Sequence, residues 1–194
     1  MADFIRIVDK YNLQPLANFF QQAANKRLWP LPHNVLFNLE KSYRGAGWIA
    51  KKAAIAKKIV AQGNFKKILA HTDWGTKNSI FSNKKLIGIF DWDSLGSMSE
   101  PEMVGRAAAQ FTADWESGYM ITPSPEEGRL FVKEYQYYRG KKFTEEEYKI
   151  ISSSADYLIG IISRFEHAGN NPEIHPYQDL LRMCGKNSFL FIEE

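Results

Sequence analysis

A chain of 194 residues, 44% hydrophobic and 24% charged, is long enough to bury a single core and has the balance of an ordinary globular protein, which excludes disordered and fibrous classes. A formal net charge of +3 is too slight to nominate nucleic acid or a membrane surface as partner, and no apolar run is long enough to span a bilayer. The single cysteine, Cys184, rules out an internal disulfide and agrees with a reducing, cytoplasmic setting, as does an N-terminus in which Asp3, Arg6, Asp9 and Lys10 break up any secretory core.

The first residues read as helix, interrupted at "NLQP" and "LWPLPHN", where Pro15, Pro30 and Pro32 push the residues before them toward extended geometry. Residues 42–62 form a stronger helix: Trp48, Ile49, Ala53, Ile55, Ala56, Ile59 and Val60 recur at roughly helical spacing, and Gly63 supplies a stop. Then the period shortens. "KKILA" reads as a buried strand, and "NSIF", the polar turn "SNKK" and "LIGIF" form a hairpin.

Beyond the hairpin the pattern is helical. Ser99 with Glu102, Ser124 with Pro125 and Glu127, and Thr144 with Glu147 each have the Ser/Thr-x-x-Glu form that satisfies the free amides of a first turn, so three helix starts are marked. The last opens an apolar stripe of Tyr148, Ile151, Ala155, Leu158, Ile159, Ile162 and Phe165. "NPEIHPYQDLLRMCG" adds a short helix ending near Gly185. No repeat or low-complexity linker divides the chain, so residues 1–194 read as one unit, an α+β fold that is mainly α with a small β hairpin.

Charge is uneven. Nine lysines lie between Lys51 and Lys85, and the only acid among them is Asp73. Such a segment suits a site that handles anions, and it equally suits a solvated helix face followed by lysine-tipped turns.

The densest chemistry is in "ILAHTDWGTKNSIFSNKKLIGIFDWDSL", residues 68–95. His71, Asp73 and Asn78 spell H-x-D-x-x-x-x-N between two strand-like runs, a spacing that can aim an Asp and an Asn into one cleft. The Asp would orient or deprotonate an attacking hydroxyl, and the Asn would hold a metal. Asp91, at the end of "LIGIF", would present a second metal ligand to the same cleft. Phosphoryl transfer needs such a set, because Mg²⁺ prefers oxygen ligands and takes only one or two from protein beside water and nucleotide phosphates.

These segments resemble the catalytic and metal-binding region of the aminoglycoside phosphotransferase and choline kinase-like superfamily, which reads H-G-D-x-x-x-x-N, a hairpin, then I-D-[WF]-[DE]. The resemblance implies the C-terminal lobe of a protein kinase-like fold. It implies transfer of the γ-phosphoryl of ATP or GTP to a hydroxyl of a small molecule such as an aminoglycoside or amino alcohol, with Mg²⁺ and the nucleotide as cofactors. On it Asp73 is the catalytic base, Asn78 and Asp91 bind the metal and nucleotide, and His71 packs beneath the loop. Asp93 matches an acid of varied role, and Trp74 and Trp92 read as packing residues.

The chain departs from that pattern at several places. Thr72 replaces the family's Gly, and "WGTKN" replaces "LHPGN". Where the family places an Asp at the start of the next helix, this chain has Val104 or Gly105, with Glu100 and Glu102 as substitutes. The residues before His71 contain no Gly-rich strand loop and no strand lysine: "GAGWIA" at 45–50 lacks a preceding strand, and Lys57 lies in a helical pattern. The expectation is a lobe without its N-terminal nucleotide-gripping partner. The alternative is a non-catalytic binding or interaction module.

The remaining features are weaker. His33, His71, His167 and His175 are not at metal-ligand spacing, so zinc is not expected. Cys184 reads as a small core residue. Trp115, Tyr119, Tyr135, Tyr137 and Tyr138, near Asp114, Glu116 and Glu134, offer walls for a cationic substrate, and the same spacing suits core packing. Basic pairs among aromatics hint at RNA or another anion, yet no RNA module is visible, and no nucleic-acid or membrane partner is expected.

Overall fold

The structure, a computed structural model, describes residues 1–13, 27–30, 39, 41–114, 121–169, 176–185 and 187–191. Helix α1 (Ala2–Lys10) buries Ala2, Ile5 and Val8 on one face and ends before Asn12, whose φ of 47° carries the chain out of the helix. The breaks expected at Pro15 and Pro32 lie outside the described residues.

Helix α2 (Gly47–Gln62) starts later than the periodicity predicts. Gly45 adopts a φ of +82°, a left-handed conformation that a helix cannot continue through, so the residues from Ser42 form turns instead. Gly63 ends the helix as expected.

Strand β1 (Lys67–His71) leads into a hairpin of β2 (Ser79–Ser82) and β3 (Lys85–Ile89). The two-residue turn is Asn83-Lys84, both at positive φ, the geometry whose twist matches the flanking strands. A bulge in the ladder leaves Ile87 without an opposite residue.

The sequence pattern predicts a direct passage from hairpin into helix. Instead, β4 (Leu95–Ser99) intervenes and pairs antiparallel with β1, from Lys67 opposite Ser99 to His71 opposite Leu95. The small sheet is therefore two separate two-stranded ladders, β1-β4 and β2-β3. "LGSMS" escaped notice because one Gly and two Ser give it little strand propensity, and its extended form comes from its register on β1.

Three helices follow the predicted caps: α3 (Glu100–Ala108), α4 (Pro125–Arg139) and α5 (Glu145–Gly169). In α4 the Ser124 hydroxyl accepts from Glu127 N at 3.1 Å while Ser124 N donates to Glu127 Oε2 at 2.8 Å; Thr144 and Glu147 close the same reciprocal pair before α5. Helix α6 (Pro176–Met183) ends before Gly185, as expected.

Helix α5 is the axis of the packing, with α2, α3 and α6 against its sides. Ile151, Ala155, Leu158 and Ile159 of the predicted stripe are buried, joined by Ile49 and Ala53 of α2, Val104 of α3 and Leu181 of α6. α3 lies so close to α5 that a Cβ on Gly105 would stand 2.0 Å from the Ile151 carbonyl oxygen, and Ser154 Oγ donates to Glu102 O at 2.7 Å across the same seam. The described residues form a mixed α+β fold that is mostly helical, and among them no helix is long and apolar enough to cross a membrane.

Candidate functional site

Residues 72–94 leave the β1-β4 ladder and return to it. The excursion is closed at its base by Thr72, whose backbone N and Oγ1 both donate to Ser94 O at 2.9 Å. Asp73 and Asn78 lie on the outgoing limb, and Asp91 on the returning limb after the hairpin. The single 3₁₀ turn at Thr76–Asn78 folds Asn78 back: its Nδ2 donates to Asp73 O at 2.8 Å and to Asp73 Oδ2 at 3.0 Å, and lies 3.5 Å from Asp91 Oδ2. The three residues singled out by spacing thus meet at one point. Asp93 is exposed in the following 3₁₀ turn and is not part of this contact set.

His71 holds the two limbs together from below. It is 1% exposed, and Asp73 N donates to its Nδ1 at 3.3 Å. Nδ1 is then the acceptor, so Nε2 carries the proton and donates to Phe90 O at 3.1 Å. Its ring meets Trp74 and Trp92 edge-on at 5.7 and 5.9 Å, and Phe4 of α1 packs against both tryptophans from outside. Trp74 is buried, as expected of a packing residue, whereas Trp92 is half exposed.

Asp91 adopts φ 65°, ψ 45°, a left-handed conformation unusual for a residue with a side chain. Ser94 Oγ donates to its Oδ2 at 2.6 Å. Thr72 is not among the residues at positive φ, so a side chain is tolerated where the resembled family has Gly, and its hydroxyl is used in the closure.

Three further polar residues that no motif in the sequence marks join the site. Lys77 Nζ pairs with Asp73 Oδ2 at 2.8 Å, and both side chains are about a quarter exposed. Its position beside Asn78 was a signal, hidden in the lysine count. Arg106 of α3 donates from Nε to Thr72 O at 3.1 Å, and burial pushes its guanidinium below the usual range despite the nearby carboxylates of Asp73 and Glu102. Ser94 is the third, with no pattern to mark it. Arg106 ties α3 to the loop where the resembled family places an Asp, and neither neighbouring position has room for one: Val104 is buried and Gly105 abuts the α5 backbone.

The lysine run does not form one anion site. Lys52 donates to Leu181 O and Gly185 O at 2.7 and 3.1 Å, Lys57 donates to Arg27 O, Lys67 pairs with Glu102 at 2.7 Å, and Lys77 pairs with Asp73. These lysines are spread over a helix, a strand and a turn, so their charges act locally. Residues 47–50 of "GAGWIA" begin α2 and Lys57 lies within it, in keeping with the helical reading of both.

The aromatic walls separate as well. Tyr135 is buried, donates to Glu100 Oε1 at 2.6 Å and stacks on Phe143, while Tyr137 and Tyr138 are exposed on the other side of α4. Helical rotation between positions 135 and 137 accounts for the split. Trp115, Glu116 and Tyr119 lie outside the described residues, as do His33 and His175. Cys184 is buried, and burial pushes its thiol up to about 12, in keeping with a core role. Among the described residues no group of three or more His, Cys, Asp or Glu side chains is placed to hold a metal ion.

No family model matches the chain, and no match was found among curated proteins or among solved structures.

Proposed function

We propose that this chain is the C-terminal lobe of a kinase-like phosphotransferase of the aminoglycoside phosphotransferase and choline kinase type, moving the γ-phosphoryl of ATP or GTP to a hydroxyl of a small molecule. The observation that carries the reading is the Asn78 amide, 3.0 Å from Asp73 Oδ2 and 3.5 Å from Asp91 Oδ2. In this contact the amide turns its N–H₂ toward both carboxylates; with the amide turned over, its Oδ1 and the two carboxylates would make a hard oxygen set of the kind Mg²⁺ accepts when water and phosphate supply its other ligands. These residues fit an ion that arrives with a nucleotide, and they are too few for one held by protein alone.

In this reading Asn78 and Asp91 would hold a Mg²⁺, which when bound would supply neutralising charge for the phosphates. Asp73 takes the acceptor's hydroxyl hydrogen bond and orients it, or removes its proton, as the oxygen attacks. Lys77, paired with Asp73 at 2.8 Å, supplies a cation beside these groups that a phosphoryl oxygen would meet. Titration calorimetry with Mg·ATP tests this: a saturable heat is expected from the chain and is expected to vanish in Asp91→Ala. Equal, absent heats from both would overturn it.

A second reading, a non-catalytic binding module, is favoured by the same Lys77, because its ion pair occupies the oxygen a base would use. Lys77→Ala separates the two. A nucleotide heat that is present in the parent and weakened in Lys77→Ala follows from the enzyme reading, and no heat from either chain follows from the module.

A further inference from the structure

The hairpin carries an apolar surface that nothing in the described chain covers. Ile80, Phe81, Leu86, Ile87, Phe90 and Trp92 are each 43% to 64% exposed. β2 and β3 pack chiefly on each other, and among the described residues no third strand joins their ladder. Apolar side chains exposed this densely mark a surface for a partner.

A two-stranded ribbon has two open edges, and this one guards only one of them. On β3 the bulge at Ile87 interrupts the regular ladder, and Lys85 opens the strand. The β2 stretch, Ser79–Ser82, has no charge and no proline, and the bulge lies on the other strand. Its outward groups follow from the pairing. The turn closes on Ser82 opposite Lys85, and Phe90 N donates to Asn78 O at 3.1 Å, so positions 78, 80 and 82 bond inward to β3. Phe81 therefore turns its N–H and C=O outward. Ser79 N is taken by Thr76 O, which leaves Phe81 as the main pairing position on this edge.

Alternation also sorts the side chains. Phe81 and Leu86 stand opposite each other on one face, while Ile80, Ser82 and Lys85 belong to the other. From Trp74 to Phe90 the chain has Lys77, Lys84 and Lys85 and no acid, and Lys84 and Lys85 are exposed at the turn. An added strand with apolar residues beside Phe81 and Leu86, and carboxylates toward Lys85, complements both faces at once. A second copy of the chain would set these lysines against their own kind. A lipid bilayer would accept the apolar side chains but leave the outward N–H and C=O of Phe81 without partners.

We propose that the outer edge of β2 is a docking site for an extended acidic peptide, which adds a third strand and alternates apolar with acidic residues. The site uses none of Asp73, Asn78 or Asp91 and is independent of the phosphotransferase reading.

Fluorescence anisotropy with labelled alternating Val-Glu and Val-Lys peptides tests it, beside amide hydrogen exchange. The Val-Glu peptide is expected to bind saturably, about fivefold or more tighter than Val-Lys, and to slow exchange at Phe81 N–H. Lys85→Glu is expected to weaken Val-Glu binding about three- to fivefold and to strengthen Val-Lys. Phe81→Pro removes the outward N–H without taking a ladder bond, so the variant is expected to fold, as circular dichroism checks, and to lose binding. N-methylation of alternate amides in the Val-Glu peptide blocks strand pairing from the ligand's side and is expected to abolish binding with no change to the protein. The proposal is overturned by absence of saturable Val-Glu binding, by a Val-Lys or N-methylated peptide that binds as well, or by unchanged exchange at Phe81. It is equally overturned if this edge binds phosphatidylserine vesicles or a second copy of the chain in place of the peptide.

Discussion

The Asn78 amide donates at once to the Asp73 carbonyl at 2.8 Å and to the Asp73 carboxylate at 3.0 Å, which makes one 8%-exposed side chain the clasp of the loop. Asn78→Asp would set a third carboxylate against two others at this spacing. Like charges so close destabilise, so its melting temperature is expected to fall, consistent with a loss of about 1–3 kcal/mol. Added Mg²⁺ or Mn²⁺ is expected to recover part of the loss, whereas Asn78→Leu is expected to fall without recovery. Thermal melts with and without the ions check both.

Asp91 separates backbone from side-chain function. Its φ of 65° disfavours any residue with a Cβ. Asp91→Gly is therefore expected to be more stable than Asp91→Ala by about 1 kcal/mol, while both lose the Ser94 hydrogen bond and the Mg·ATP heat. Denaturant melts beside calorimetry read the two effects separately. Equal stabilities would mean that the left-handed turn relaxes without cost.

The seam between α3 and α5 leaves no room at Gly105. Gly105→Ala drives a methyl toward the Ile151 carbonyl oxygen and is expected to cost about 3 kcal/mol or more. Gly140→Ala is the control: its φ is +70° but no atom lies within 4 Å of the added carbon, so a cost of about 1 kcal/mol is expected. Urea unfolding of both variants checks the contrast.

Asp156 gives stability a pH dependence of definite sign. Its carboxyl is raised from 3.8 to about 6 by burial, so between those values the folded chain binds the proton that the unfolded chain releases. This group's contribution therefore favours folding as pH falls from about 6 toward 4, and weighs against folding above about 6. Asp156→Asn is expected to remove that slope, a swing on the order of 2 kcal/mol, read by urea unfolding at pH 4.5 and pH 7.5.

Local signals in the chain were legible where they are chemical. The three capping boxes appear where Ser99, Ser124 and Thr144 place them, and the hairpin turns at the polar stretch that the sequence marks. The spacing of Asp73, Asn78 and Asp91 implies that their side chains meet, and they do, because a loop and a strand end fix where such residues project. β4 was missed, because a strand rich in Ser and Gly is extended only where a partner pairs with it. The late start of α2 was missed too, since helical periodicity runs through Gly45 while its backbone does not.

The sequence alone determined the mostly helical α+β class and the helix starts, and its spacing marked Asp73, Asn78 and Asp91 as a set. These depend on period, caps and short-range spacing, all encoded within a few neighbouring residues. Only the tertiary structure decided that Arg106 reaches Thr72 from another helix and that Gly105 leaves no room for an acid. Those relationships join segments far apart in the chain. They follow from how whole helices pack, which no local pattern specifies.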